Sequence, residues 1–204
     1  MNVFILCTGR SGSTTFIKAC KHIANYTSAH ESLCNKLGQT RFHFPEQHIE
    51  ADNRLSWHLG ELDKCYGKEA IYVFLKRDKN AIAKSYMRRF LRPKSMIYAY
   101  ANGIKKSPPE SLSKDEKHQI CLDYVETVEQ NIIHFLKDKP HQIEMNIASI
   151  KAEYPSFWKL IKAEGNLDKA LMEFDIKHNS SSSQKIDFIY TIKHFVLKLK
   201  MMLD

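Results

Sequence analysis

The sequence has 204 residues, 43% of them hydrophobic and 26% charged, and 31 Lys and Arg against 23 Asp and Glu give a formal net charge of +8. This length suits a single domain over residues 1–204, and the composition excludes a chain that is disordered throughout. No apolar run approaches the roughly 20 residues that cross a bilayer, and no signal-peptide pattern opens the chain, so we expect a cytoplasmic protein. Five cysteines without a C-x-x-C pair predict reduced thiols and no zinc site.

The chain begins with a strand, a loop and a helix. Residues 2–8 are apolar and rich in β formers, which predicts a buried strand. The loop Gly9-Arg-Ser-Gly-Ser-Thr14 follows, and residues 15–26 then carry apolar side chains at helical spacing. This order is typical of an α/β domain with a parallel sheet.

A second unit of the same kind covers residues 70–90. Residues 71–75 predict another buried strand, residues 76–78 a turn and residues 80–90 a helix. Between the two units, residues 40–67 are of mixed character and rich in histidine, and they predict one short helix near 54–66.

The rest of the chain predicts mainly helices, and no repeat or shift in composition divides it. We expect a basic loop over 92–109, a long helix over 114–137, a short strand over 141–147, short helices over 154–164 and 166–174, a serine loop at 180–183 and a lysine-rich helix over 185–203. The apolar stripe of that last helix favours a packed face, and peripheral contact with an anionic membrane is the alternative. The predicted fold is α/β, a P-loop-like three-layer domain with a short central parallel sheet flanked by helices.

The first loop has the chemistry of an anion site. Small residues between a strand and a helix expose backbone N–H groups at the positive end of the helix dipole. Arg10 adds a cation, and hydroxyls follow at Ser11, Ser13, Thr14 and Thr15. The loop lacks the lysine of a Walker A motif, and Ser13 stands where a C-x-x-x-x-x-R phosphatase loop needs arginine.

The second unit predicts a second anion site. Arg77 follows the strand, and Ser85 comes eight residues later, so both side chains can turn toward one anion. Two such sites at the carboxyl ends of neighbouring parallel strands favour a ligand with phosphate at both ends.

Both segments resemble those of the sulfotransferase family. The stretch Cys7-Thr-Gly-Arg-Ser-Gly-Ser-Thr-Thr-Phe16 is similar to the family's 5′-phosphosulfate loop, and residues 72–90 are similar to its 3′-phosphate segment. Residues 50–57 and His178-Asn179 resemble bacterial members less distinctively. The resemblance implies the sulfuryl donor 3′-phosphoadenosine 5′-phosphosulfate (PAPS), a hydroxyl acceptor and no metal.

The resemblance also implies residue roles. Arg10, Ser11, Gly12, Ser13, Thr14 and Thr15 would hold the 5′-phosphosulfate, while Arg77 and Ser85 would grip the 3′-phosphate. Arginine at position 10, where cytosolic members often have lysine, is similar to the tyrosylprotein and many bacterial branches, and it would act as an electrostatic clamp. Glu31 is the first candidate for the base and His30 the second, because a strand near 28–29 would return both to the edge that holds Arg10.

Several alternatives stay open at this point. They are a P-loop-like nucleotide kinase or other phosphotransferase, a relative that binds nucleotide without turnover, and a basic nucleic-acid-binding module, which the clustering of cations at two loop ends disfavours. His43, His48 and His58 are expected to be surface or structural residues, Asp52 and Arg54 either contact the acceptor or form an ion pair, and Arg88, Arg89, Arg92 and Lys94 either bind an anion or face solvent. The acceptor itself is not predicted.

Overall fold

The computed structural model describes residues 1–176, and these fall into two compact units. The first unit takes residues 1–78 and 126–176, and the second takes residues 79–125. The expectation of one domain over 1–204 stays a prediction. His178-Asn179, the serine loop at 180–183 and the helix over 185–203 lie outside the described residues.

The first unit is built on one parallel sheet of five strands. They are β1 (Val3–Leu6), β2 (Thr27–His30), β3 (His48–Ala51), β4 (Ile71–Lys76) and β5 (Gln142–Asn146), in the spatial order β2-β3-β1-β4-β5. All four pairings are parallel, which confirms the predicted α/β class. Since β1 is the middle strand and is buried from end to end, its uninterrupted apolar run is the pattern expected of a strand covered on both faces.

Seven α-helices occur in the two units. They are α1 (Ser13–Cys20), α2 (Leu59–Tyr66), α3 (Lys79–Met87), α4 (Met96–Ala99), α5 (Lys114–Leu136), α6 (Ile150–Leu160) and α7 (Leu167–Met172) among the described residues. The 3₁₀ turns cover Gly38–Phe42, Asn53–Trp57 and Glu173–Asp175, and one π turn covers Tyr100–Ile104. Helices α3 and α4 lie wholly in the second unit, whereas α5 begins in the second unit and ends in the first.

Alternate residues of β1 fill two apolar layers. Val3 and Ile5 join a core with α1, α6 and α7, in which the Phe16 ring lies 5.1 Å from that of Phe157. Phe4 points the other way and stacks at 6.0 Å from Tyr72. The sheet is therefore sandwiched between two layers, as in the predicted three-layer domain.

Strand β3 was missed by the sequence interpretation, which left residues 40–67 without a strand. His48-Ile-Glu-Ala51 has two polar side chains, but both are buried, and His48 Nε2 lies 3.1 Å from Glu50 Oε2. Because these groups satisfy each other, a half-polar segment can occupy an inner position of the sheet. The helix expected near 54–66 is a 3₁₀ turn followed by α2.

Two other segments differ from expectation. Helix α1 ends at Cys20, well before residue 26, because Ile23 leaves it to form a β-bridge with Gly165. The segment 92–109 is not a plain loop: Ser95 caps α4 by accepting a hydrogen bond from the Tyr98 N–H at 3.2 Å. The sequence interpretation gave more weight to the lysines and arginines of this stretch than to its apolar residues, of which Ile97, Tyr100 and Ala101 are buried.

The second unit has a core of tyrosines. The Tyr124 ring lies 5.0 Å from that of Tyr86 and 5.3 Å from that of Tyr100. The Tyr100 hydroxyl donates to Asp123 Oδ2 at 2.5 Å, and Lys105 pairs with the same oxygen at 2.7 Å. No helix within residues 1–176 is both long and apolar enough to span a bilayer.

Candidate functional site

The candidate site is the edge of the first unit's sheet at which the strands end. Because all five strands are parallel, the segments that follow them open at this one edge. The first loop follows β1, His30 ends β2, Asp52 follows β3 and Arg77 follows β4. We call this the carboxyl edge. Strands β1 and β4 are direct neighbours, as the two-site prediction required.

The loop after β1 folds tightly over the start of α1. Gly9, Arg10 and Gly12 all have positive φ, at 76°, 59° and 96°. Helix α1 begins at Ser13, directly after the last of these residues. The N–H groups of a first helical turn have no partner inside the helix. Backbone N–H groups and the helix dipole therefore both favour an anion here.

Ser11 and Gly12 show how closely this loop is packed. The Ser11 hydroxyl is completely buried and makes no hydrogen bond among the described residues. A Cβ on Gly12 would lie 2.6 Å from Cδ1 of Ile147, the residue after β5. Only glycine therefore fits at position 12.

Arg77 lies against the same loop. Its Nη1 donates to the Arg10 carbonyl oxygen at 3.0 Å, and the rest of its side chain is exposed. Arg77 has no carboxylate partner in residues 1–176. The contact holds a guanidinium charge beside the loop from the neighbouring strand.

His30 contacts the hydroxyls that follow the loop. Its Nε2 lies 3.1 Å from Ser13 Oγ and 3.4 Å from Thr14 Oγ1, in the first turn of α1. Thr15, in the same turn, is half-buried. The parallel register of β2 with β3 brings this imidazole to the carboxyl edge, where sequence reasoning had placed it.

Glu31 also lies at the carboxyl edge, but it has a cationic partner. Its Oε2 is 2.9 Å from Arg54 Nη1, and both side chains remain 32% exposed. The backbone of Glu31 has a positive φ of 54°, and the next residue is fixed because Ser32 donates both its N–H, at 3.0 Å, and its hydroxyl, at 2.5 Å, to Glu50. Glu50 and His48 are buried, so polar contacts of strand β3 determine the course of the Glu31 loop.

Asp52 is a buried structural carboxylate. Its Oδ2 accepts a hydrogen bond from Arg41, and its Oδ1 accepts the Arg54 N–H at 2.8 Å. Burial raises the pKa of Asp52 above its ordinary value, although the Arg54 N–H and the Arg41 guanidinium both favour the charged form. Of the two roles the sequence left open for Asp52, the structure shows the ion pair, and with a cation that sequence reasoning missed. No local motif marks Arg41, because it precedes Asp52 by eleven residues and meets it only through the tertiary fold.

Ser85 and the histidines complete the set of predicted residues. Ser85 lies on α3 in the second unit, so its part in a 3′-phosphate site stays a prediction. His48 is buried and structural, while His43 and His58 are exposed. Within residues 1–176 no three His, Cys, Asp or Glu side chains are grouped as a metal site would need.

Comparison with known proteins adds no assignment to this geometry. No protein-family model matches the chain, and no curated protein matches it in sequence.

Proposed function

We propose that this chain is a sulfotransferase that takes a sulfuryl group from PAPS to a hydroxyl acceptor, a carbohydrate, lipid or small molecule. The observation that carries the proposal is the contact of Arg77 with the Arg10 loop. It brings together, from two neighbouring strands, the two cations that the family resemblance assigns to the two anionic ends of one nucleotide.

The charges at the carboxyl edge suit an anionic donor. Two of the carboxylates at the carboxyl edge are paired with an arginine: Glu31 with Arg54 and Asp52 with Arg41. Their repulsion of an anion is therefore largely cancelled, while Arg77 has no carboxylate partner among the described residues.

The loop residues would hold the 5′-phosphosulfate of the donor. Arg10, Ser11, Gly12, Ser13, Thr14 and Thr15 offer a guanidinium, four hydroxyls and the N–H groups of the first helical turn. When bound, PAPS supplies an activated sulfuryl group whose transfer resembles phosphoryl transfer, with a loose in-line transition state. Arg10 would neutralise charge on the leaving phosphate, and it acts without giving up a proton, since guanidinium stays charged in proteins.

Glu31 and His30 are the two groups that would take the acceptor's proton. Glu31 is our first candidate, and its ion pair with Arg54 orients the carboxylate while leaving about a third of the side chain in contact with solvent. His30 lies directly against Ser13 and Thr14, so it is closer to the loop. We therefore propose a positioning role for His30 at the loop, even where Glu31 is the base.

Titration calorimetry with 3′,5′-adenosine bisphosphate tests the donor site without any acceptor. We expect micromolar binding, and Arg77→Ala should weaken it about 10- to 100-fold, since a charged hydrogen bond is worth about 1.5–3 kcal/mol. Lys76→Ala is the matched control, because this neighbouring cation pairs with Glu144 at 2.9 Å. Folded protein that does not bind the bisphosphate would refute the proposal, and preferential binding of ATP with Mg²⁺ would favour a phosphotransferase instead.

Two substitutions separate the candidate bases. Glu31→Gln should keep bisphosphate affinity and lose most sulfuryl transfer, measured with labelled PAPS against a panel of sugar, lipid and phenol acceptors. His30→Gln should weaken donor binding instead, because the contacts with Ser13 and Thr14 are lost. Full turnover in Glu31→Gln would assign the proton transfer to another group.

A further inference from the structure

The net charge of the protein is concentrated in the second unit. Residues 79–125 hold ten Lys and Arg against four Asp and Glu, so six of the eight surplus positive charges fall in this unit. Within it, residues 79–109 hold eight Lys and Arg and no acidic residue at all. We call residues 79–109 the cationic segment. A solvated surface normally mixes both signs of charge, so a stretch of this length without a carboxylate points to an anionic partner.

Several cations of this segment are exposed and uncompensated. Lys84, Arg88, Lys94 and Lys106 are solvent-exposed, and none has a carboxylate partner among the described residues. Lys105 is the contrasting case, since it is held by Asp123 at 2.7 Å. Four exposed cations without a carboxylate partner among residues 1–176 suit a diffuse anionic surface better than a single bound anion, around which they would have to converge.

Exposed aliphatic side chains occur close to these cations in the chain. Ile104 is 60% exposed and precedes Lys105 and Lys106, while Leu91 is 36% exposed and lies between Arg88 and Lys94 in the chain. Aliphatic groups flanked by lysine and arginine are typical of segments that rest on anionic lipid, where the apolar group enters the headgroup region and the cations meet the phosphates.

The burial of the aromatic residues in this unit argues against a nucleic-acid partner. Tyr86, Phe90, Tyr100 and Tyr124 are all at most 3% exposed and form the core of the unit. Proteins that bind single strands present aromatic rings on which bases stack, and no fully exposed ring is found within residues 79–125. The fifth aromatic residue, Tyr98, is half-buried, and its hydroxyl donates to Glu110 at 3.4 Å. Exposed aliphatic side chains therefore outweigh exposed rings in this unit, which favours lipid over nucleic acid.

From these observations we propose that the second unit carries a peripheral binding surface for anionic lipid bilayers, formed by the cationic segment. The proposal does not depend on sulfotransferase activity. Each lysine or arginine near such a surface strengthens binding about fivefold at physiological salt, and the attraction falls as salt rises. A surface of this kind would keep the enzyme beside acceptors displayed on a membrane.

Co-sedimentation of the full chain with lipid vesicles tests the proposal. We expect binding to vesicles of phosphatidylcholine mixed with phosphatidylglycerol, weak binding to phosphatidylcholine alone, and loss of binding in high salt. Arg88→Glu/Lys94→Glu should lower the partition coefficient at least about 25-fold, from two cations at about fivefold each. Lys18→Glu/Lys36→Glu is the control of equal charge change, on exposed lysines of the first unit, and it should lower binding only a few-fold.

Two further measurements could contradict the proposal: substitutions in the basic stretch over 185–203, and binding to polyanions other than lipid. Lys193→Glu/Lys198→Glu alters the basic stretch over 185–203, and the proposal requires that this variant keep most of its vesicle binding. Binding lost in the tail variant and retained in Arg88→Glu/Lys94→Glu would overturn it. So would failure to bind anionic vesicles, with tight binding to heparin or duplex DNA assigning the segment to another polyanion. Arg77→Ala removes a donor-site cation that lies outside the cationic segment, and this variant should keep most of its vesicle binding, so the two proposals can fail separately.

Discussion

Replacing Gly12 by alanine tests how the first loop is held in place. The new Cβ would lie 2.6 Å from Ile147 Cδ1 and 2.7 Å from Cγ1, at a backbone φ of 96° that side chains rarely adopt. A positive φ costs a non-glycine residue about 1–2 kcal/mol, and crowding a packed site costs about 1–3 kcal/mol. We therefore expect Gly12→Ala to lower the free energy of unfolding by about 2–5 kcal/mol and to weaken bisphosphate binding.

Two other glycines separate these two costs. Gly38 has a positive φ of 56° but open space around its Cα, so Gly38→Ala should show the conformational cost alone, about 1–2 kcal/mol. Gly60 lies in helix α2 with open space and an ordinary φ, so Gly60→Ala should stabilise the protein by about 0.5–1 kcal/mol.

Urea unfolding of all three variants measures the series. Ile147→Ala in the Gly12→Ala background removes both crowded carbons and should restore the steric part of the loss, relative to Ile147→Ala alone. Equal losses for Gly12→Ala and Gly38→Ala would show that Ile147 does not confine the loop, and the reasoning from close packing would then be wrong.

Two further predictions concern ion pairs and caps. Arg41→Met leaves the buried Asp52 carboxylate without its cationic partner Arg41, and it should lower the free energy of unfolding in urea by about 3–5 kcal/mol. Burial raises the pKa of Asp52 above 3.8 because it penalises the ionised form, so this loss of stability should grow as pH rises. Arg41→Met/Asp52→Asn should recover most of the loss. At the start of α5, the Ser113 N–H donates to Glu116 at 2.8 Å and the Glu116 N–H donates to Ser113 Oγ at 3.2 Å, so Ser113→Ala should cost about 1 kcal/mol. Those hydrogen bonds lower the pKa of Glu116, so the stabilising contribution of its carboxylate is present above pH 4.5 and is lost as pH falls. The difference in Tm between wild type and Ser113→Ala should therefore shrink in acid, and a difference that is independent of pH would contradict this role of Glu116.

The elements with strong local patterns were predicted well. Strands β1 and β4 are short apolar runs bounded by turn residues, and α5 carries a long helical stripe, so each is specified by neighbours within a few residues. The glycine loop was also predictable, since its chemistry lies in consecutive residues. Strand β3 was not, because the burial of His48 and Glu50 depends on the contact that each makes with the other inside the sheet.

By itself, the sequence determined the α/β class, the strand-loop-helix order and the identity of the cations at two strand ends. Only the tertiary structure decided which side chains meet at the carboxyl edge. Arg77 reaches the Arg10 carbonyl because β4 lies beside β1, and Glu31 meets Arg54 because β2 lies beside β3. Hydrophobic period and turn chemistry act over a few residues and are written along the chain, whereas strand order is set by how whole layers bury their faces, which no short segment encodes.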